Sequence, residues 1–165
     1  MAPVTRIVVP ITRSKYSDQT ANFYRAEFVS MYDHDTAAGL LTFEEGAAFG
    51  MRLREHPNVV MTYGYQPMKI VHSKTSTYSP VDRRTIRMES GSASLRHVVV
   101  HEVSHQVTDW CLNAGLPPHS QLFVGTFLDL MEFTYGEEVH QRLVDSFVKY
   151  DVGFHRMRNT PGRLA

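Results

Sequence analysis

His97-Val-Val-Val-His101-Glu102-Val-Ser-His105-Gln-Val-Thr-Asp109-Trp110 carries the pattern H-E-x-x-H once, inside an apolar run with helical spacing. Val98, Val99, Val100, Val103 and Val107 put apolar side chains on most sides of this helix, so it is expected to be buried. Residues i and i+4 share one helix face about 6 Å apart, which lets His101 and His105 bring two imidazoles to one ion. Glu102 is turned about 100° from His101 by the helical period, so its carboxylate can meet a water on the metal instead of the metal itself. Zinc lowers the pKa of such a water, and the carboxylate takes its proton as attack on a carbonyl begins. The plainer alternative is a helix that shows two His and one Glu on a polar face. Burial argues against it, because buried imidazoles and a carboxylate need partners and a metal supplies them.

A catalytic zinc takes three protein ligands and keeps one position open. His119 is the preferred third ligand: it follows the Pro117-Pro118 turn, and an antiparallel helix starting there can return it to the motif. Asp129, within Gly125-Thr-Phe-Leu-Asp129, and Glu132 compete for the place, both from the apolar helical run Leu122 to Phe133. Asp109, one turn after His105, could orient a ligand imidazole from behind or simply end the helix at the surface. His97 is read as a surface residue at the helix N-terminus. His34, His56, His72, His140 and His155 have no ligand spacing to one another, and no tyrosine, Tyr135 and Tyr150 included, can be singled out to stabilise an oxyanion.

Outward from the motif, Ser92 or Ser94 can cap its helix, which ends near Leu112 before Asn113-Ala-Gly115. Gln121 to Phe133 and Glu137 to Tyr150 read as two further helices separated by Gly136. Towards the N-terminus, three short β-rich runs precede the motif: Asn58 to Tyr63, Met68 to Ser73 and Arg84 to Met88. They predict a small antiparallel sheet. Before them, Thr42-Phe-Glu-Glu45 is a capping-box signature opening a helix that Pro57 stops. Gly46 and Gly50 either weaken that helix or mark a face where another backbone comes close. Phe23, Tyr24, Phe28 and Met31 predict a first helix from about Asp18 to Tyr32. Val4 to Ile11, interrupted by Pro10, reads as an edge strand or extended arm within residues 1–15.

The order of elements predicts an α+β fold in one domain spanning 1–165, with 152–165 as a frayed tail. Lys+Arg and Asp+Glu number 17 each, so no net basic field announces a nucleic-acid partner. The basic excess from Lys149 to Arg163 reads as a solvated tail. Cys111 is the one cysteine, which excludes an intrachain disulfide and a Cys-based zinc cluster. No apolar run approaches the roughly 20 residues that span a bilayer, and Ile7 to Ile11 is too short for a signal sequence. The expectation is a cytoplasmic protein without a membrane partner.

His101-Glu-Val-Ser-His105, followed after residues 106–118 by His119 and the run to Glu132, resembles the minimal zincin-like metallopeptidases of the SprT type. More closely, the chain resembles a family of H-E-x-x-H metallohydrolases of actinobacteria and their phages, whose members open with a helix like Arg13 to Glu27. The resemblance implies one catalytic zinc ion on His101, His105 and His119, with Glu102 as base. It implies a peptide or protein substrate, paired with an edge strand beside the cleft, either Met68 to Ser73 or Arg84 to Met88. Ser120-Gln121 replaces the family's Gly-Pro after the third His, so the start of the following helix can differ. A zinc-stabilised module without turnover is the alternative from another class; the intact Glu102 weighs against it, since a structural site needs no base.

Overall fold

A computed structural model describes residues 19–65, 67–75, 77–78, 84–112 and 117–155. The described residues form seven helices and three strands, an α+β fold. Helix α1 (Thr20–Ala37), α2 (Phe43–Arg54) and α3 (Pro57–Tyr63) precede strands β1 (Lys69–His72), β2 (Thr77–Tyr78) and β3 (Thr85–Met88). Helices α4 (Ser90–Ala93), α5 (Arg96–Leu112), α6 (Gln121–Tyr135) and α7 (Glu137–Lys149) follow. None of the helices is long and apolar enough to cross a membrane.

Two helices make the centre. Val99, Val100, Val103 and Val107 of α5 are fully buried, and every residue from Leu122 to Met131 of α6 is buried. The two pack against each other, α2 covers α5, and α7 joins α6 to α1. Gly136 allows the tight α6–α7 junction, because its φ of 86° is a conformation that side chains disfavour. The Thr42–Glu45 capping box forms as expected: Glu45 N–H donates to Thr42 Oγ1, and Thr42 N–H donates to the Glu45 carboxylate. Gly46 and Gly50 mark a close approach. A Cβ at Gly46 would run into the Ala93 carbonyl, and one at Gly50 would sit 2.6 Å from Ile70 Cδ1.

Four expectations need correction. Asn58 to Tyr63 is helical, not extended. Pro57 occupies the first helical position, where its missing N–H costs nothing, and His56 Nδ1 accepts the Asn58 N–H as a cap. The β-branched residues that suggested a strand instead place Val59 and Tyr63 four apart, both buried. The sheet is mixed: β1 pairs in parallel with central β3, and only the short β2, Thr77–Tyr78, pairs antiparallel. The chain between β1 and β3 adds β2 on the far side of β3, which frees β1 and β3 to run the same way. Neither Ser92 nor Ser94 caps α5. Leu95 offers its carbonyl to Val98 and Val99, after the separate turn α4. Lastly, residues 152–155 are docked, not frayed: Val152 is buried, and Gln19 both donates to and accepts from the Gly153 backbone at 2.8 Å. The arm at 1–15, the Asn113–Gly115 helix stop and the rest of the tail lie outside the described residues.

Candidate metal centre

The i, i+4 spacing on α5 brings His101 and His105 together with their Nε2 atoms 3.1 Å apart. His119, just before α6, turns back to put its Nε2 3.2 Å from that of His101. The Ser120 hydroxyl accepts the Phe123 N–H and so caps α6. Ligand atoms of the three histidines all lie within 4.8 Å of one another. Ligands at the usual 2.0–2.1 Å from a tetrahedral zinc stand about 3.3 Å from one another, so the two N–N distances suit such an ion.

The opposite ring nitrogens position the rings, and at His101 the contact fixes the tautomer. Glu27 of α1 lies 3.1 Å from His101 Nδ1. A carboxylate only accepts, so Nδ1 carries the hydrogen and Nε2 presents its lone pair to the cluster. His119 Nδ1 meets Thr20 Oγ1 at 2.9 Å, which holds that ring in place. Aromatic rings hold the imidazoles in place. Phe123 stacks on His105 at 4.1 Å, Phe23 on His119 at 5.2 Å, and Tyr24 on His101 at 5.3 Å with rings 8° from parallel. Three imidazole nitrogens facing one buried point repel each other unless a proton or a cation lies between them. The donor set therefore fits a metal ion, and His101, His105 and His119 could hold one.

Electrostatics divides the three. Burial disfavours a charged His101, but the Glu27 charge and hydrogen bond, with Glu102, outweigh it and raise its pKa. His105 is held well below the ordinary imidazole value by burial and by the charges of His101 and His119. That ring is neutral and ready to coordinate. Burial raises the Glu102 pKa, attraction to His101 opposes this, and the Glu27 charge adds to the rise. Glu102 and His101 line a cleft of about 280 Å³ between α1 and the N-terminal half of α5.

The competing ligands are engaged elsewhere. Asp129 is fully buried and accepts the Tyr63 hydroxyl hydrogen bond at 2.7 Å; Glu132 faces His140 at 3.9 Å. Asp109 is half-buried on α5, and the carboxylate behind His101 is Glu27. His97 is a correction: it is buried, not a surface residue, with Nδ1 2.8 Å from Asp35, whose carboxylate also accepts the His97 backbone N–H and the Tyr135 hydroxyl. Tyr135 is thereby tied to Asp35. All the described residues lining this cleft come from α1, from α5 and from Leu95, and Arg84 to Met88 contains the central strand of the sheet.

Glu27, Thr20 and Asp35 were not anticipated, yet α1 carried a signal. Phe23, Glu27, Met31 and Asp35 recur every four residues and are all buried, so two carboxylates interrupt an otherwise apolar stripe. A carboxylate on a core-facing stripe needs a partner, and the two partners are His101 and His97. No known family model matches this chain, and no curated protein or solved structure is significantly similar to it.

Proposed function

We propose that the protein is a zinc-dependent hydrolase of the zincin-like kind, acting on peptide bonds, with His101, His105 and His119 as zinc ligands and Glu102 as base. The observation that carries this reading is the convergence of three imidazole Nε2 atoms, two of them from the helix that also carries Glu102 next to His101. Zinc bound there would supply Lewis acidity, polarising a carbonyl and making water acidic near neutral pH. Glu102 takes the proton of the attacking water on a carboxylate oxygen and delivers it to the leaving amine. Glu27 holds the His101 ring in the tautomer that presents Nε2, Thr20 positions the His119 ring, and Phe23 and Phe123 keep water from behind the ligands. Support for the zincin-like reading comes from the sequence of the motif helix and from the third His, which lies just before the next helix, α6.

The test is Glu102→Gln in zinc-loaded protein, assayed on a broad peptide library. We expect zinc to stay bound at one equivalent while hydrolysis falls by at least a hundredfold. Full turnover in the variant would remove Glu102 from the mechanism. A wild type that holds zinc and cleaves nothing would favour a zinc-stabilised, non-catalytic module.

A further inference from the structure

Two of the three histidines share α5, so their spacing is built into one helix. His119 stands outside it, and its place depends on how the starts of α1 and α6 are held together. The chain that follows α7 bears on this. Helix α7 ends in a reversal: the Val152 N–H donates to the Phe147 carbonyl at 2.8 Å, and the Asp151 N–H to that of Val148 at 3.2 Å. This pair of bonds is the Schellman ending of a helix, whose turn residue adopts the left-handed region. Asp151, with φ 54°, is the one non-glycine residue of positive φ among the described residues, and aspartate tolerates that conformation better than most side chains. The turn sends residues 152–155 back across the starts of α1 and α6.

There the segment bonds to both helices. The Gln19 amide donates to the Gly153 carbonyl and accepts the Gly153 N–H, both at 2.8 Å. Two residues on, the His155 N–H donates to the Gln121 carbonyl at 2.9 Å. Gln19 is 5% exposed and stands at the N-cap of α1, yet its side chain makes no cap bond to the helix and goes to Gly153 instead. Val152 is buried, and Phe154 packs on the core from the same segment. The two anchoring points flank the contact that holds the third ligand: Thr20 follows Gln19 and meets His119 Nδ1, and His119 lies two residues before Gln121.

We propose that residues 152–155 are a clasp for the third ligand and that Gln19 is its positioning residue. The proposal rests on the metal-centre reading and concerns how that centre is assembled. With the clasp closed, α1 and α6 start at a fixed separation, and Thr20 stands where it holds the His119 ring. With it open, the two helix ends must make that contact alone, and a ligand that is less well oriented binds metal more weakly. Coupling is reciprocal: if the closed clasp strengthens zinc binding, zinc tightens the clasp by the same factor. A comparable bond joins α1 and α7 further from the ligand, where the Ser146 hydroxyl donates to the Ala26 carbonyl at 3.1 Å, and it serves as the control.

The experiment has two arms, both on the full chain. Zinc affinity is measured by competition with a chromophoric chelator in wild type, Gln19→Ala and Ser146→Ala, with a thermal melt to check that each folds. We expect a loss of about tenfold in Gln19→Ala and of less than about twofold in Ser146→Ala. In the second arm, amide hydrogen exchange at Gly153 and His155 is followed in the wild type with and without zinc. We expect zinc to slow both amides about tenfold more than that of Gly136, whose bond to the Glu132 carbonyl closes the far end of α6. Undiminished affinity in Gln19→Ala, or an equal loss in Ser146→Ala, would overturn the clasp and leave the three histidines standing. So would zinc slowing Gly153 and His155 no more than Gly136, and this arm decides the matter even if Gln19→Ala does not fold. A wild type that takes up no zinc would overturn the metal centre itself, and the clasp with it.

Discussion

The interface between α1 and α5 holds the same chemical pair twice, Glu27 with His101 and Asp35 with His97, and the two do different work. Both carboxylates lie on one buried stripe of α1, and both meet an imidazole Nδ1 of α5, at 3.1 and 2.8 Å. At the first pair the far nitrogen of the ring faces two more imidazoles, so the carboxylate acts through His101 on a shared centre. At the second the carboxylate is the hub: it takes the His97 backbone N–H at 2.7 Å, the His97 ring and the Tyr135 hydroxyl. Asp35 thus ties α1, the first turn of α5 and the end of α6 together, at a helix N-terminus where negative charge is favoured. A buried carboxylate–imidazole pair does not by itself mark a catalytic site. What surrounds the other ring nitrogen decides.

If that distinction holds, removing the two carboxylates gives opposite profiles. Asp35→Ala should cost about 3–5 kcal/mol of stability, because it strands a buried imidazole, a tyrosine hydroxyl and a backbone N–H at once. Chemical denaturation at neutral pH measures it. Burial would raise the Asp35 pKa, but the hydrogen bonds from His97 and Tyr135 outweigh it and the net shift is downward. A lowered folded-state pKa means stability that is present above the unfolded value of about 3.9 and lost as pH falls through the folded one. The gap between wild type and Asp35→Ala should therefore narrow in acid. A gap that is constant down to pH 2 would detach the charge of Asp35 from its role.

Glu27→Gln should have the smaller effect, and a different one: zinc affinity lowered 10–100-fold, or about 1.4–2.7 kcal/mol, with a modest change in the stability of the metal-free protein. Competition with a chromophoric chelator reads it directly. If Glu27→Gln destabilises the metal-free chain as much as Asp35→Ala does, the two pairs are both structural latches and the contrast between them disappears.

The sequence made the site's own helix legible and left its supports hidden, for a physical reason. The His101–His105 spacing is local, set by a helical period that any apolar-flanked H-E-x-x-H run shares, and His119 needed only one turn to return. Glu27 and Thr20 reach the ligands across 74 and 99 residues, so only tertiary packing reveals the pairing. Burial of His97 was missed for the same reason, since Asp35 lies 62 residues away. In the fold, the capping box at Thr42 was readable because it is a contact within four residues. The strand expected at Asn58 to Tyr63 was not, because Pro57 and His56 outside the run decided its conformation while Val59 and Tyr63 found a helical core face.

The account stands on three histidines holding one ion, and metal content tests that most directly. Elemental analysis of wild type, His101→Ala and His119→Ala, each purified and then equilibrated with one equivalent of zinc and desalted, should show about one zinc per chain in the wild type and little in either variant. A wild type that takes up no zinc, or a His119→Ala protein that retains a full equivalent, would contradict the three-histidine centre.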